Sequence, residues 1–249
     1  MKEPLFSIIT VCYNAEACIG STLASVDVQS FTDYEHLIVD GKSSDATLNI
    51  VATHDNPLRK VISEPDKGIY DAMNKGIAHT SGKYLIFLNA GDCFHSPGTL
   101  ESIAKTINDN GCPGIVYGQT AIVDSQGQYL GPRHLEAPAK LTLDSFANGM
   151  VVCHQAFVAL RRITGKYNTA YRFSADYDWC IQCLMHSRKN IGMASEILID
   201  YLNEGATTHN HMSSLRERFR IMCYYYGTLP TIWRHIRFLG RALKRKIKK

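Results

Sequence analysis

The stretch Leu5-Phe6-Ser7-Ile8-Ile9-Thr10-Val11-Cys12-Tyr13 is an almost unbroken apolar, β-branched run. Such a run reads as a strand buried on both faces, inside a sheet covered by helices. The residues beyond it keep the same rhythm. Asn14 is placed to cap a helix running to about Val28. A second strand spans 34–39 and ends in the polar Asp40-Gly41-Lys42-Ser43-Ser44-Asp45, which leads into a helix over 46–54. A short strand at 60–63, a helix at 69–78 and a strand at 84–88 follow. This alternation predicts βαβ units and an α/β fold with a mainly parallel central sheet flanked by helices.

Beyond Asp92 the rhythm loosens. A helix is expected at 100–107, short strands at 115–117 and 120–123, a turn-rich stretch at 127–138, a helix at 175–186 and a strand at 191–201. There is no internal repeat, low-complexity tract or linker. The reading is one domain over 1–204, with halves at 1–95 and 96–204, followed at 205–249 by a flexible loop and a basic helical tail.

Composition supports a globular protein. With 249 residues, 45% hydrophobic and 20% charged, the chain is not disordered, collagen-like or a coiled coil. Its net charge of +4 is unevenly spread. Up to Ser213 there are 16 Lys and Arg against 22 Asp and Glu; from Ser214 onward there are 11 against Glu217 alone. No apolar run approaches the ~20 residues of a spanning helix. The first residues lack an h-region, so a cytoplasmic chain is expected. Its eight cysteines are then expected to be reduced and buried. Cys180-x-x-Cys183 lies in a helical pattern without a second pair to complete a zinc site.

The acidic residues sit where chemistry is expected. Ligands of open α/β sheets bind at the carboxyl ends of the parallel strands. There the sequence puts Tyr13 and Asn14, then Asp40, then Glu64 and Asp66, then Asn89-Ala90-Gly91-Asp92. Carboxylates gathered on one edge repel unless a cation sits among them. A hard cation with a phosphate-bearing substrate accounts for Asp40 and Asp92 together. Neither GxGxxG nor GxxxxGK[ST] occurs, so no Gly-rich loop cradles the phosphates.

Three segments, Ser7-Ile8-Ile9-Thr10-Val11-Cys12-Tyr13-Asn14, Val39-Asp40-Gly41-Lys42-Ser43-Ser44-Asp45 and Leu88-Asn89-Ala90-Gly91-Asp92, resemble the opening motifs of family 2 inverting glycosyltransferases with the GT-A fold. Ser63-Glu64-Pro65-Asp66-Lys67-Gly68-Ile69-Tyr70-Asp71-Ala72-Met73-Asn74-Lys75-Gly76 resembles the subgroup that builds bacterial exopolysaccharides, colanic acid synthesis enzymes among them. The resemblance implies a Rossmann-like nucleotide-binding half and an acceptor half. It implies that Tyr13 stacks on the donor base, that Asp40 hydrogen-bonds it, usually uracil, and that Asn14, Asp71, Asn74 and Gly91 belong to the nucleotide-sugar site. Asp92 matches the last acidic residue of the family's metal motif and implies Mn²⁺ or Mg²⁺ bridging the diphosphate. Asn89 stands where the first acidic residue is often found, which brings in His209 and His211 as candidate further ligands. Phe173-Ser174-Ala175-Asp176-Tyr177-Asp178-Trp179 resembles the acceptor-site motif and implies that Asp176 deprotonates the acceptor, with Asp178 in support. His154-Gln155 is expected on the acceptor side.

In the tail, Ile232, Ile236, Leu239, Leu243 and Ile247 recur at spacings of three and four, and Arg and Lys fill the remaining circumference. That pattern describes an amphipathic basic helix suited to an anionic membrane surface, with packing onto the body as the plainer use. Nucleic-acid binding is disfavoured by the lack of a recognised module. The expected partners are thus a nucleotide-sugar donor, a lipid-linked saccharide acceptor and, through 230–249, the inner face of the cell membrane. The alternatives are a nucleotidyltransferase, which would need a basic Gly-rich loop after strand one, and a non-catalytic membrane-tethered scaffold.

Overall fold

A computed structural model describes residues 3–203 and 211–236. Its first half runs β1 (Phe6–Cys12), α1 (Ile19–Asp27), β2 (Tyr34–Asp40), α2 (Thr47–Thr53), β3 (Arg59–Ser63), α3 (Ile69–Ala78) and β4 (Tyr84–Phe87). All four strands are parallel, and β1 sits between β2 and β4. Cys12 pairs with Asp40 and Asp40 with Ser63, so the carboxyl ends of β1, β2 and β3 finish level. Every residue of β1 is buried, as its continuous apolar run requires.

The second half adds β5 (Cys93–Phe94), α4 (Thr99–Asp109), β6 (Ile115–Val123), β7 (Tyr129–Pro132), α5 (Leu143–Phe146), β8 (Phe157–Leu160), α6 (Ala175–His186) and β9 (Asn190–Leu202). One nine-stranded sheet has the order β3-β2-β1-β4-β8-β6-β9-β5, with β7 on β6. Strands β6 and β9 are parallel, whereas β8, β7 and β5 run antiparallel to their neighbours. The parallel arrangement expected from the alternation therefore describes the first half, and the sheet as a whole is mixed.

Local departures have local causes. Helix α1 starts at Ile19 with Cys18 at its cap, so Asn14 does not cap it. Asn14 instead adopts a left-handed conformation, φ 47°, in the loop above β1. The two short strands expected at 115–123 are one strand, whose register against β9 shifts at Gly118-Gln119; that irregularity breaks the sequence pattern. Residues 127–138 contain turns, but also β7.

The core lies on both sheet faces. One cluster packs β1, β4 and α3 against α6 through Phe87, Tyr167 and Trp179; the other packs α4 against the opposite face through Leu100, Ile103 and Ile107. Cys180 and Cys183 of α6 are both buried. Helix α7 (His211–Tyr226) docks on the start of α6. Glu217 accepts from the backbone N–H groups of Arg172 and Phe173, and the Ser174 and Ser214 hydroxyls lie 3.0 Å apart. After Gly227 a further helix runs over 228–236. Of the expected tail, 237–249 lie outside the described residues, as do 204–210.

Candidate active site

The loops after β1 and β2 are stitched together at the carboxyl edge. Asn14 Oδ1 accepts from Ser44 N at 2.9 Å, and Asn14 N donates to Ser43 Oγ at 2.8 Å. Ala15 N donates to Thr47 Oγ1, Glu16 N to Asp45 Oδ2, and Ala46 N to Glu16 Oε2. Asp45 also accepts from Thr47 N at 3.0 Å, a local turn just before α2, whose cap position is Ala46. Tyr13 projects from this platform with 65% of its surface exposed. A side chain at Gly41 would run into Asp66 Oδ2, 2.5 Å from the added carbon, and Tyr13 Cδ2, 3.3 Å from it. The glycine leaves room between the ring and the Asp66 carboxylate.

Asp40 is fully buried beneath that platform. Its oxygens accept from Ser43 N and Oγ, from Ser63 Oγ at 2.6 Å, and from the Cys12 thiol at 3.7 Å. A carboxylate has about four acceptor positions, and all are in use. Asp40 thereby fixes the loop that carries Lys42 and Ser43. The Cys12 thiol stays protonated, raised to about 12 by burial and then by the Asp40 charge.

Asp71 and Asn74 on α3 are engaged within the protein. Asp71 Oδ2 accepts from Lys67 N at 3.0 Å, closing the turn before the helix. Asn74 makes two hydrogen bonds to the backbone of Tyr167: it donates to the carbonyl at 2.9 Å and accepts from the N–H at 2.7 Å. Its amide clamps the segment carrying Tyr167 to α3. Gly91 has φ +100° and donates to Thr22 Oγ1 at 2.9 Å, and a carbon added there would meet Leu202. It makes the tight turn that brings Asp92 back under the sheet edge.

Asp92 is buried, 4% exposed. Its Oδ2 accepts from Gln155 Nε2 at 2.6 Å and its Oδ1 from Leu202 N at 3.2 Å. Burial raises its pKa to about 7, against the pull of those two donors. On the same turn the Asn89 side-chain oxygen is buried with no hydrogen-bond partner among the described residues. An orphaned amide oxygen beside a carboxylate is a pair of hard ligands of the kind Mg²⁺ and Mn²⁺ take, usually with few protein ligands and several phosphate or water oxygens. Among the described residues no cluster of three or more His, Cys, Asp or Glu forms a metal cage. His209 lies outside the described residues, and of His211 only its place at the start of α7 is described.

Asp176 occupies the first turn of α6, with Ser174 as the cap. The Tyr70 hydroxyl donates to Asp176 Oδ1 at 3.0 Å. His154 Nδ1 stands 3.9 Å from Asp176 Oδ2. His154 is buried and its pKa is lowered chiefly by that burial, so its ring is neutral; its Nε2 has no partner among the described residues. His154 and Gln155 are consecutive on a 3₁₀ turn before β8, one facing Asp176 and the other bonded to Asp92. Tyr201 of β9 joins them: after burial, the charges of Asp92 and Asp176 are among the influences that keep its hydroxyl protonated. Asp178 accepts from Tyr225 at 2.8 Å and Gln182 at 2.7 Å, tying α6 to α7.

The sequence located Tyr13, Asn14, Asp40, Asn89, Gly91 and Asp92 along one edge and did not bring Tyr70 to Asp176 or Tyr201 to Asp92 and Asp176. Tyr70 lay inside the quoted 63–76 motif, and Gln155 beside the singled-out His154. Their positions were legible, but their partners were not.

Comparison with known proteins gives the family and the fold. Residues 7–164 match the glycosyl transferase family 2 description, and the chain belongs to that family. It is 33% identical over 189 residues to the PGL/p-HBAD biosynthesis glycosyltransferase of Mycobacterium bovis, covering 74% of this chain and 71% of the relative. It is 22% identical over 227 residues to the UDP-Glc:alpha-D-GlcNAc-diphosphoundecaprenol beta-1,3-glucosyltransferase WfgD of Escherichia coli, covering 89% and 87% of the two chains. The fold is that of the mannosyltransferase PcManGT of Pyrobaculum calidifontis, solved with GDP-Man and Mn²⁺, at a TM-score of 0.62 and 17% identity; the match covers 88% of this chain and 64% of that structure's chain. The protein is thus a family 2 glycosyltransferase with the GT-A fold.

Proposed function

We propose that this glycosyltransferase moves a sugar from a nucleoside diphosphate sugar, UDP-linked, to a lipid-linked saccharide, with inversion at the anomeric carbon, in cell-surface polysaccharide synthesis. The observation that carries the reading is one 3₁₀ turn from which His154 and Gln155, adjacent in sequence, face Asp176 and Asp92 respectively. An inverting displacement needs one base on the acceptor side and charge neutralisation on the leaving-group side. In this reading Asp176 supplies the first and Asp92 anchors the second. The WfgD name supports the UDP donor and the diphospholipid acceptor.

In this reading Tyr13 lies against the donor base, over the loop that Asp40 fixes through Ser43. Asp92 and the orphaned Asn89 oxygen hold a divalent cation, Mn²⁺ or Mg²⁺, which when bound neutralises charge on the diphosphate. Asp176 accepts the proton of the attacking hydroxyl. The hydroxyl oxygen forms the new bond to the anomeric carbon as the bond to the phosphate oxygen breaks, and the nucleoside diphosphate leaves with that electron pair. Asn74, through its side-chain amide on Tyr167, and Gly91, through its tight turn, support the site rather than touch the donor.

Membrane docking belongs to the same proposal. No helix among the described residues is long and apolar enough to cross a membrane. The 228–236 helix meets the body through buried Thr231 and through Arg234, 2.8 Å from Asp144. It leaves Leu229, Trp233 and Ile236 more than half exposed. Apolar and aromatic residues beside a basic segment suit an anionic lipid surface at the inner face of the membrane.

The deciding experiment screens a panel of nucleotide sugars for thermal stabilisation. It then assays transfer with the stabilising donor, Mn²⁺ and a lipid-diphosphate saccharide, for wild type and Asp176→Asn. Loss of transfer with donor binding retained supports the base assignment. Undiminished transfer by a folded Asp176→Asn protein overturns it.

A further inference from the structure

We infer that Tyr70 is a positioning residue for the base, and that the 63–76 motif holds Tyr70 and Asp176 in register across the two halves of the fold. The inference rests on the reading of Asp176 as the base.

Tyr70 and Asp176 are 106 residues apart and come from different halves of the molecule, yet their side chains meet at 3.0 Å. Tyr70 Oη donates to Oδ1, the only hydrogen bond that the Asp176 carboxylate receives from the described residues. Burial first, and then the Asp176 charge, keep the Tyr70 hydroxyl protonated and so always a donor. With Oδ1 held, Oδ2 is the oxygen left to take a proton. It faces His154 Nδ1 at 3.9 Å, beyond hydrogen-bond distance.

The contact is built to last. The Tyr70 ring stacks on Tyr167, centroids 5.5 Å apart and planes 23° apart. Tyr167 stacks in turn on Trp179, one turn along α6 from Asp176, at 5.1 Å and 13°. Asn74, one turn along α3 from Tyr70, grips the Tyr167 backbone in both directions. Phe87 of β4 meets Tyr167 and Trp179 edge-on. One stack therefore sets the distance between a helix of the donor half and a helix of the acceptor half. Residues four apart on α3 share a face, which accounts for Tyr70 and Asn74 in one motif. Lys75, bonded to Glu64 at 2.9 Å and to the Pro65 carbonyl at 2.6 Å, fastens the loop before it.

A carboxylate that accepts a hydrogen bond is aimed by it. Tyr70→Phe keeps the stacking ring and removes only the donor. The groups facing Asp176 otherwise stay in place: His154 before β8, Tyr167, Cys180 on α6 and Tyr201 on β9. The test is steady-state transfer by Tyr70→Phe, with donor binding measured by calorimetry. The expected result is kcat lower by about tenfold with KM for the donor within twofold. A kcat within twofold of wild type overturns the inference while leaving the base assignment intact. Full activity of Asp176→Asn overturns both. A Tyr70→Phe loss confined to donor affinity also overturns it, because it would place Tyr70 in the donor site instead.

Discussion

Gln155 Nε2 donates to Asp92 Oδ2 at 2.6 Å. The carboxylate just before β5 is thus held by the residue next to the imidazole that faces Asp176, so one 3₁₀ turn touches both carboxylates. Residues that orient a ligating carboxylate matter nearly as much as the carboxylate. Gln155→Leu is expected to lower kcat/KM by about 10–100-fold and to raise the Mn²⁺ concentration for half-maximal activity. Unchanged metal dependence in a folded variant would remove Gln155 from the metal side.

Asp92 gives a pH signature in metal-free protein. Its pKa is 3.8 ordinarily and about 7 in the fold. Between those values the native state binds more protons than the unfolded one, so Asp92's contribution to stability falls as pH rises through that window. Asp92→Asn removes the cost of burying the charge. With chelator present, the variant should be more stable than wild type at pH 8 by on the order of 2–4 kcal/mol, with little difference near pH 4. Urea unfolding at both pH values checks this. The same variant should lose transfer activity.

Asn74 separates an architectural role from a nucleotide contact. Asn74→Ala removes both hydrogen bonds to Tyr167 and leaves backbone groups unpaired, a cost of about 2 kcal/mol. The expected outcome is a lower melting temperature and, at a temperature where the variant is folded, donor affinity like that of wild type. Selective loss of donor affinity at normal stability would return Asn74 to the donor site.

The tail prediction is read by flotation. Each Lys or Arg near an anionic surface contributes ~1 kcal/mol, and 237–249 alone hold seven of them. Full-length protein should float with phosphatidylglycerol vesicles at low salt and less at high salt. Protein ending before residue 230 should stay at the bottom. Equal recovery of the two would end the membrane proposal.

What the sequence alone determined is the part that local pattern encodes. The apolar run at 6–12, the polar breaks after each strand and the helical periodicities placed α3 and α6 at their observed bounds. They also put Tyr13, Asp40 and Asp92 at one sheet edge, because burial on both faces and helical spacing are written in neighbouring residues. Local pattern does not say which neighbour a polar group finds. Asp40 is surrounded by Ser43 and Ser63, Asn74 serves the Tyr167 backbone, and Asn14 bridges two loops rather than capping α1. The insertion of β8 between β4 and β6 is equally invisible in the alternation. Only the tertiary structure decided that Tyr70 meets Asp176 and Gln155 meets Asp92. Those pairs lie 106 and 63 residues apart, and a hydrogen bond exists only where the packed fold brings donor and acceptor within about 3 Å.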